Sequence, residues 1–285
     1  MPLDPSLRAI DAHQHFWDLG TTFYYDWLRS DDKQPICKNR LPADLAPLMR
    51  EAGVARCITV QTQHNVAENV WADSLAHDND FIAGVVGWVD LQSDDVEAQL
   101  IEAKQLGSLV GIRHVVQDEP DDQWLLRENV LRGLAVLERH AVPYDLLLYV
   151  KHLPLVPTLA ARFPSLKLVI NHLAKPEIKL GRLDNWEPHL RAAARFPNVY
   201  CKLSGMVTEA DWTAWKPADL RPYVQVALDA FSPARCMFGS DWPVCELAAS
   251  YSQVVDSLIE SLGPISPSET EQIFRTTAEG FYGIA

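Results

Sequence analysis

Eight short apolar, β-rich runs recur along the 285 residues with helix-patterned stretches between them, and this alternation constrains the fold more than any other feature. The runs are RAIDAHQHF from Arg8, ARCITVQTQ from Ala55, FIAGVVGWVDL from Phe81, SLVGIRHVV from Ser108, VPYDLLLYV from Val142, LKLVINHL from Leu166, NVYCKLSG from Asn198 and RCMFGSD from Arg235. Helix spacing follows the second run at Val70 and Leu75, the third at Val96, Leu100, Ile101 and Ala103, and the fourth at Val130, Leu131, Leu134, Val136 and Leu137. Strand and helix in repeated alternation give a parallel sheet. Eight evenly spaced units, with no GxGxxG after the first strand, favour a closed (β/α)₈ barrel over an open doubly wound sheet. Such barrels commonly run to about 250 residues as one unit, so a single α/β domain over 1–285 is expected. The longest irregular connection, at about 18–42, is of the length that often covers a functional site.

Charge excludes some partners. The chain has 25 Lys and Arg against 38 Asp and Glu, a net −13 that repels phosphate backbones and anionic membrane surfaces. No nucleic acid or membrane partner is expected. The start MPLDPSLRAIDAHQHFWD lacks the basic region and apolar run of a secretory signal. Five cysteines, Cys37, Cys57, Cys201, Cys236 and Cys245, show no CxxC spacing, so a reducing, cytoplasmic setting is expected. Serine hydrolase, nucleotidase and zincin chemistry lack their elbows, loops and HExxH motifs. Nothing in the sequence bears on oligomeric state.

In a parallel barrel the reaction centre lies at the C-terminal ends of the strands. Polar residues accumulate there. Strand 1 ends in Asp11, His13 and His15; strand 4 in Arg113 and His114; strand 5 in Tyr149, Lys151 and His152; strand 6 in Asn171 and His172; strand 7 in Lys202 and Ser204; strand 8 in Ser240 and Asp241. His13 and His15 are two apart, and alternate strand residues face the same way, so both imidazoles converge on one point. Such a pair suits a divalent metal or a polarised carbonyl. Asp11 shares their parity and would lie deeper. Asp241, in FGSDWP, is placed to act as a general base on water beside the Trp242 indole, while helix initiation is read beyond Pro243. His172 is the first ionisable residue at the end of an apolar strand. Arg113 and His114 point to opposite faces, and the guanidinium suits a carboxylate or carbonyl oxygen. The same parity separates Tyr149 and Lys151 from His152 without saying which set faces in. Trp17, Trp27, Trp88 and Trp242 are candidates for stacking on a sugar.

IDAHQHFWD, GIRHVVQ, LVINHLAKP, NVYCKLSGM and MFGSDWP, in that order, resemble the lactonase group of the amidohydrolase superfamily, which contains L-fuconolactonase, L-rhamnonolactonase and 2-pyrone-4,6-dicarboxylate lactonase. The likeness spans nearly the whole chain, and HFWD and GIRH are most similar to the sugar-lactone members. It implies an amidohydrolase-type barrel and a carboxylic ester hydrolase acting on a small-molecule lactone, L-fucono-1,5-lactone or a related aldonolactone. By resemblance Asp241 and His172 are catalytic, and His13, His15, Arg113, His114, Tyr149, Trp27 and Trp242 contact substrate. The two-metal members carry a bridging residue on a central strand, where this chain has Arg113 and His114. Members of the group are not uniformly metal-dependent. The resemblance therefore implies either no required cofactor or a single divalent metal such as zinc, held by His13, His15, His152 and Asp241. Thr277 stands where the family usually has Asn. Two rival readings share these residues: a metal-dependent decarboxylase of the same superfamily, and a barrel that binds a sugar acid without turning it over.

Overall fold

The computed structural model describes residues 2–20 and 23–284. Eight strands, β1 (Ala9–Gln14), β2 (Val54–Val60), β3 (Ile82–Gly87), β4 (Leu109–His114), β5 (Tyr144–Leu146), β6 (Leu168–Ile170), β7 (Val199–Leu203) and β8 (Cys236–Phe238), lie side by side in chain order. All pairings along the sheet are parallel. The ring closes just beyond β8, where Asp241 N–H donates to the His13 carbonyl at 2.8 Å and His15 N–H to the Trp242 carbonyl at 2.7 Å. That closure brings His13, His15 and Asp241 together through backbone alone.

Helices pack outside the strands: α1 (Pro42–Ala52), α2 (Val66–Asp78), α3 (Val96–Gln105), α4 (Glu128–Arg139), α5 (Val156–Arg162), α6 (Glu187–Ala194), α7 (Pro217–Phe231) and α8 (Tyr251–Leu262). The expected helical stretches after strands 2, 3 and 4 are α2, α3 and α4. In α4 the periodic Val130, Leu131, Leu134 and Leu137 are the buried face. Ser250 starts α8 with a reciprocal cap, its N–H donating to Gln253 Oε1 at 2.8 Å and its Oγ accepting from Gln253 N–H at 3.3 Å. Between β8 and α8 a 3₁₀ turn runs over Val244–Leu247 with Pro243 at its N-cap position, so Asp241 is the N-cap of neither helix. Among the described residues no helix is long and apolar enough to cross a membrane.

The barrel interior is apolar in its lower part. Ile10, Ala12, Ile58, Val60, Val86, Val169 and Met237 form one buried cluster with Ala278, Phe281 and Tyr282 of the C-terminal helix Thr277–Tyr282. Side chains from successive strands fill a barrel in layers, and here the two aromatic rings plug its floor.

Two stretches depart from regular alternation. In β1 the pairing register shifts between Asp11 and Gln14, a bulge that breaks the shared parity of Asp11 and His13. Asp11 turns instead to Ser240, whose N–H it accepts at 2.8 Å, and to the Tyr251 hydroxyl of α8 at 3.1 Å. In strand 5 the apolar run VPYDLLLYV pairs only over Tyr144–Leu146. The chain then leaves the sheet and winds into a 3₁₀ turn at Val150–Leu155 that contains Pro154, so strand parity does not reach Lys151 or His152.

Candidate active site

Above the apolar floor the strand ends converge on Asp241. Its Oδ1 lies 3.4 Å from His15 Nε2, 3.7 Å from His172 Nε2 and 3.9 Å from His13 Nε2. All four side chains are buried or nearly so. Two of them depend on backbone that ordinary residues avoid. Asp241 has φ 58°, and His172, Leu173, Ala174 and Lys175 form an unbroken left-handed stretch with φ between 53° and 60°. Each such residue costs about 1–2 kcal/mol. Packing enforces the turn: Leu173 and Ala174 are fully buried, and Trp186 Nε1–H donates to the Leu173 carbonyl at 2.6 Å. Gly205, itself at φ 62°, makes room for His172, since a Cβ there would sit 2.6 Å from His172 Nδ1. A Cβ on Gly239 would likewise meet His13 Cβ at 2.7 Å.

His15, His172 and Asp241 border a cavity of about 610 Å³, lined also by Arg113, Tyr149, Lys175 and Glu209, with His13 fully buried behind them. From the 18–42 connection Tyr24, Asp26, Trp27 and Lys33 reach it; residues 21 and 22 lie outside the described part. Arg113 is the member of its pair that enters, with Nη2 donating to the carbonyl and to Oε1 of Gln61 and Nη1 at 3.3 Å from His13 Nε2. Tyr149 is the inward residue after strand 5, and Lys175 Nζ stands 5.5 Å from its ring centre.

Three sequence expectations are corrected by this geometry. His114, expected to contact substrate, points away from the cavity because Arg113 takes the inward position. It is stacked 4.0 Å from His64 and 4.1 Å from Trp124, accepts from Trp88 Nε1 at 3.1 Å and faces Glu119 at 2.7 Å. His152 cannot join a metal site with His13: buried in its 3₁₀ turn, it accepts the Tyr149 N–H at 3.1 Å and faces Asp122 at 3.7 Å. Trp242 is wholly buried beside Phe16 and donates to Glu246 at 2.8 Å, so it supports the β8 loop rather than stacking on a ligand. Thr277 contacts only structure, its hydroxyl donating to the Pro233 carbonyl at 3.2 Å.

Other cavity residues carry weak sequence signals. Glu209 and Lys175 face each other across 4.0 Å, and His64 accepts the Val115 N–H at 3.2 Å. Glu68 accepts the Thr62 and Gln63 N–H groups at 2.9 Å and so fixes the loop after β2. Beneath His13, Lys202 donates to Asp145 at 2.6 Å, and the Tyr282 hydroxyl donates to the same carboxylate at 2.8 Å. The one clue to Asp145 is that it is the only acid in an otherwise apolar run.

Burial sets the charge states. It pushes His13 and His15 below the ordinary histidine range and His172 down to about 3. Burial alone would raise Asp241, but the facing His172 and His15 outweigh it and keep the carboxyl below its usual value. Arg113, lowered by burial to about 10, stays cationic at neutral pH. The site is a carboxylate among neutral imidazoles with one guanidinium beside it.

The donor inventory tests whether a metal fits. His15 Nδ1 lies 2.7 Å from the Val60 carbonyl, which only accepts, so its proton is on Nδ1 and the Nε2 lone pair faces Asp241. His172 Nδ1 meets the Ser204 hydroxyl at 2.8 Å, which allows the same arrangement. Two or three acceptors with no donor between them call for either a cation or the protons of a water molecule. His13, His172 and Asp241, whose ligand atoms all lie within 4.8 Å of one another, are the group spaced to hold a divalent ion.

Over residues 10–284 the sequence matches the amidohydrolase family. The chain belongs to that family. This amidohydrolase is 38% identical to an L-fucono-1,5-lactonase of Burkholderia multivorans over 96% of each chain, and 37% identical to one of Burkholderia ambifaria over 85% of this chain and 82% of that one. Among solved structures it is similar to a Burkholderia multivorans amidohydrolase with bound zinc, at 36% identity and a TM-score of 0.91, covering 97% of this chain and 99% of the other. A structure from Pseudomonas putida described as a 2-pyrone-4,6-dicarboxylic acid hydrolase, 21% identical with a TM-score of 0.76, shares the barrel.

Proposed function

We propose that this amidohydrolase opens a sugar lactone, L-fucono-1,5-lactone or a related aldonolactone, to its aldonate with Asp241 as the base. The observation that carries this is the ring of three imidazole nitrogens within 3.9 Å of one Asp241 oxygen at the wall of a cavity large enough for a sugar ring. A water there has two protons to give. One goes to Asp241 Oδ1 and the other is held by the His15 lone pair, which aims the oxygen at the lactone carbonyl. As the new C–O bond forms, Asp241 takes the first proton and the carbonyl oxygen gathers negative charge. Arg113 Nη1, whose sister nitrogen is tied to Gln61, is the cation placed to stabilise it. Collapse breaks the bond to the ring oxygen, and Asp241 returns its proton there. The hydroxy acid then ionises, so each turnover releases one proton.

A divalent ion held by His13, His172 and Asp241 would polarise the same oxygen as a Lewis acid. Trp27, packed edge-on against Trp17 at 5.3 Å, supplies an aromatic wall for the sugar. Proton release in a weakly buffered panel of aldonolactones and a pyrone lactone tests the reading. Acidification by L-fucono- or L-galactonolactone is expected; no proton from any of the panel would refute it. Release of carbon dioxide from an aromatic acid would replace it with the decarboxylase reading.

A further inference from the structure

Lys175 and Glu209 both line the cavity, yet neither takes part in the proton transfers at Asp241. Each is carried by backbone that also sets His172. Lys175 closes the left-handed turn, its N–H donating to the His172 carbonyl at 2.8 Å. Glu209 ends the short helix Met206–Glu209, whose N-cap is Gly205, the residue that makes room for the His172 ring. The two charges therefore keep a fixed setting relative to the reacting groups. Their own contact is loose: Lys175 Nζ is 4.0 Å from Glu209 Oε1, beyond hydrogen-bond length. Among the described residues neither charge has a hydrogen-bond partner, although burial lifts the Glu209 carboxyl above its ordinary range against the pull of Lys175. The face of Tyr149, 5.5 Å from Nζ, holds the ammonium without offering it an oxygen.

We propose that Glu209 and Lys175 form a hydroxyl-reading subsite that determines which lactone is accepted, with one ring hydroxyl of the substrate bridging the two. This rests on the lactonase reading. A hydroxyl donates and accepts through a single oxygen, so it gives its proton to Glu209 and takes one from Lys175. An oxygen about 2.8 Å from both atoms spans the 4.0 Å gap with an angle of about 90° at the hydroxyl, a geometry that serves both hydrogen bonds. Other substituents fit less well. An ether or keto oxygen satisfies only Lys175, and a carboxylate meets Glu209 as a like charge. A lactone lacking the hydroxyl leaves a partly desolvated carboxylate without its donor, which rejects that lactone more strongly than shape alone.

Binding of analogues that resist opening tests this apart from turnover. The affinities of L-fucono-1,5-lactam and its 2-, 3- and 4-deoxy forms are measured by calorimetry for the wild type, Glu209→Gln and Lys175→Met. At one ring position, loss of the hydroxyl is expected to weaken the wild type about 10–100-fold but each variant by less than about threefold. At the other positions all three proteins should lose alike. With L-fucono-1,5-lactone itself, Glu209→Gln is expected to raise KM about tenfold and leave kcat within about threefold, as loss of uniform binding does. Absence of coupling at every ring position overturns the proposal, because a merely structural pair would weaken all the lactams evenly. A wild type that binds none of the lactams overturns it as well. Should coupling appear while no lactone is opened, the lactonase reading falls and the subsite stands; turnover without coupling leaves the lactonase and removes the subsite.

Discussion

The two ends of the barrel are built on opposite terms. At the N-terminal ends of the strands the interior is apolar, with Ile10, Ile58 and Met237 closed in by Phe281 and Tyr282. At the C-terminal ends Asp241, three histidines, Arg113 and Lys202 are all buried, and five non-glycine residues, His172–Lys175 and Asp241, hold left-handed backbone. The first end stores the favourable free energy of burial; the second spends part of it on strain and desolvation. Stability and chemistry should therefore separate along the barrel axis.

The largest effect expected is on chemistry alone. Asp241→Asn removes the base, and kcat should fall about 10³-fold, or about 4 kcal/mol, while the melting temperature stays within a few degrees. Lactone kinetics beside a thermal melt check this; a large loss of stability would place Asp241 with the structural half. Phe281→Ala should do the reverse, costing about 3–5 kcal/mol in denaturant titration by opening a cavity under the barrel, with kcat little changed in the molecules that remain folded. Gly205→Ala puts a Cβ 2.6 Å from His172 Nδ1, and the displaced imidazole should lower kcat about 10²-fold.

A smaller effect separates the outer layer of the mouth from its centre. His114 has its pKa lowered by burial to about 4. Unfolded, it takes up a proton below the ordinary value of 6.5, so its contribution to stability is full above pH 6.5 and drains away as the pH falls toward 4. Between pH 7.5 and 5 this is about 2 kcal/mol, and His114→Gln should flatten the acid slope of the unfolding midpoint by about that much. Smallest of all is His152→Asn, which should leave kcat and KM within about twofold, since the imidazole faces Tyr149 and Asp122. A tenfold loss would return His152 to the site.

The barrel was legible in the sequence because alternation of strand and helix is a local signal repeated eight times. His13, His15, His172 and Asp241 were legible for a related reason: each ends an apolar run, and the ends of such runs meet in a parallel barrel. What escaped depended on where a strand stops. Asp11 was misplaced by a bulge that shifts parity within β1. His152 was misplaced because β5 pairs over only three residues, so the parity carried on from it had no sheet to act on. Arg113 and His114 show the limit of parity even where it holds, since it says that they diverge but not which enters. Lys202 and Asp145 are three-dimensional partners 57 residues apart, and no spacing within either strand pairs them.

The left-handed turn at His172–Lys175 has a consequence for the order of assembly. Local preference opposes it at each of four successive L-residues, so it does not form ahead of the packing that imposes it. His172 reaches Asp241 only after Gly205 and Trp186 are in place. Catalytic competence is thus acquired at the end of folding and forfeited at the beginning of unfolding, and denaturant should extinguish turnover while the helices outside the barrel still give their full circular dichroism.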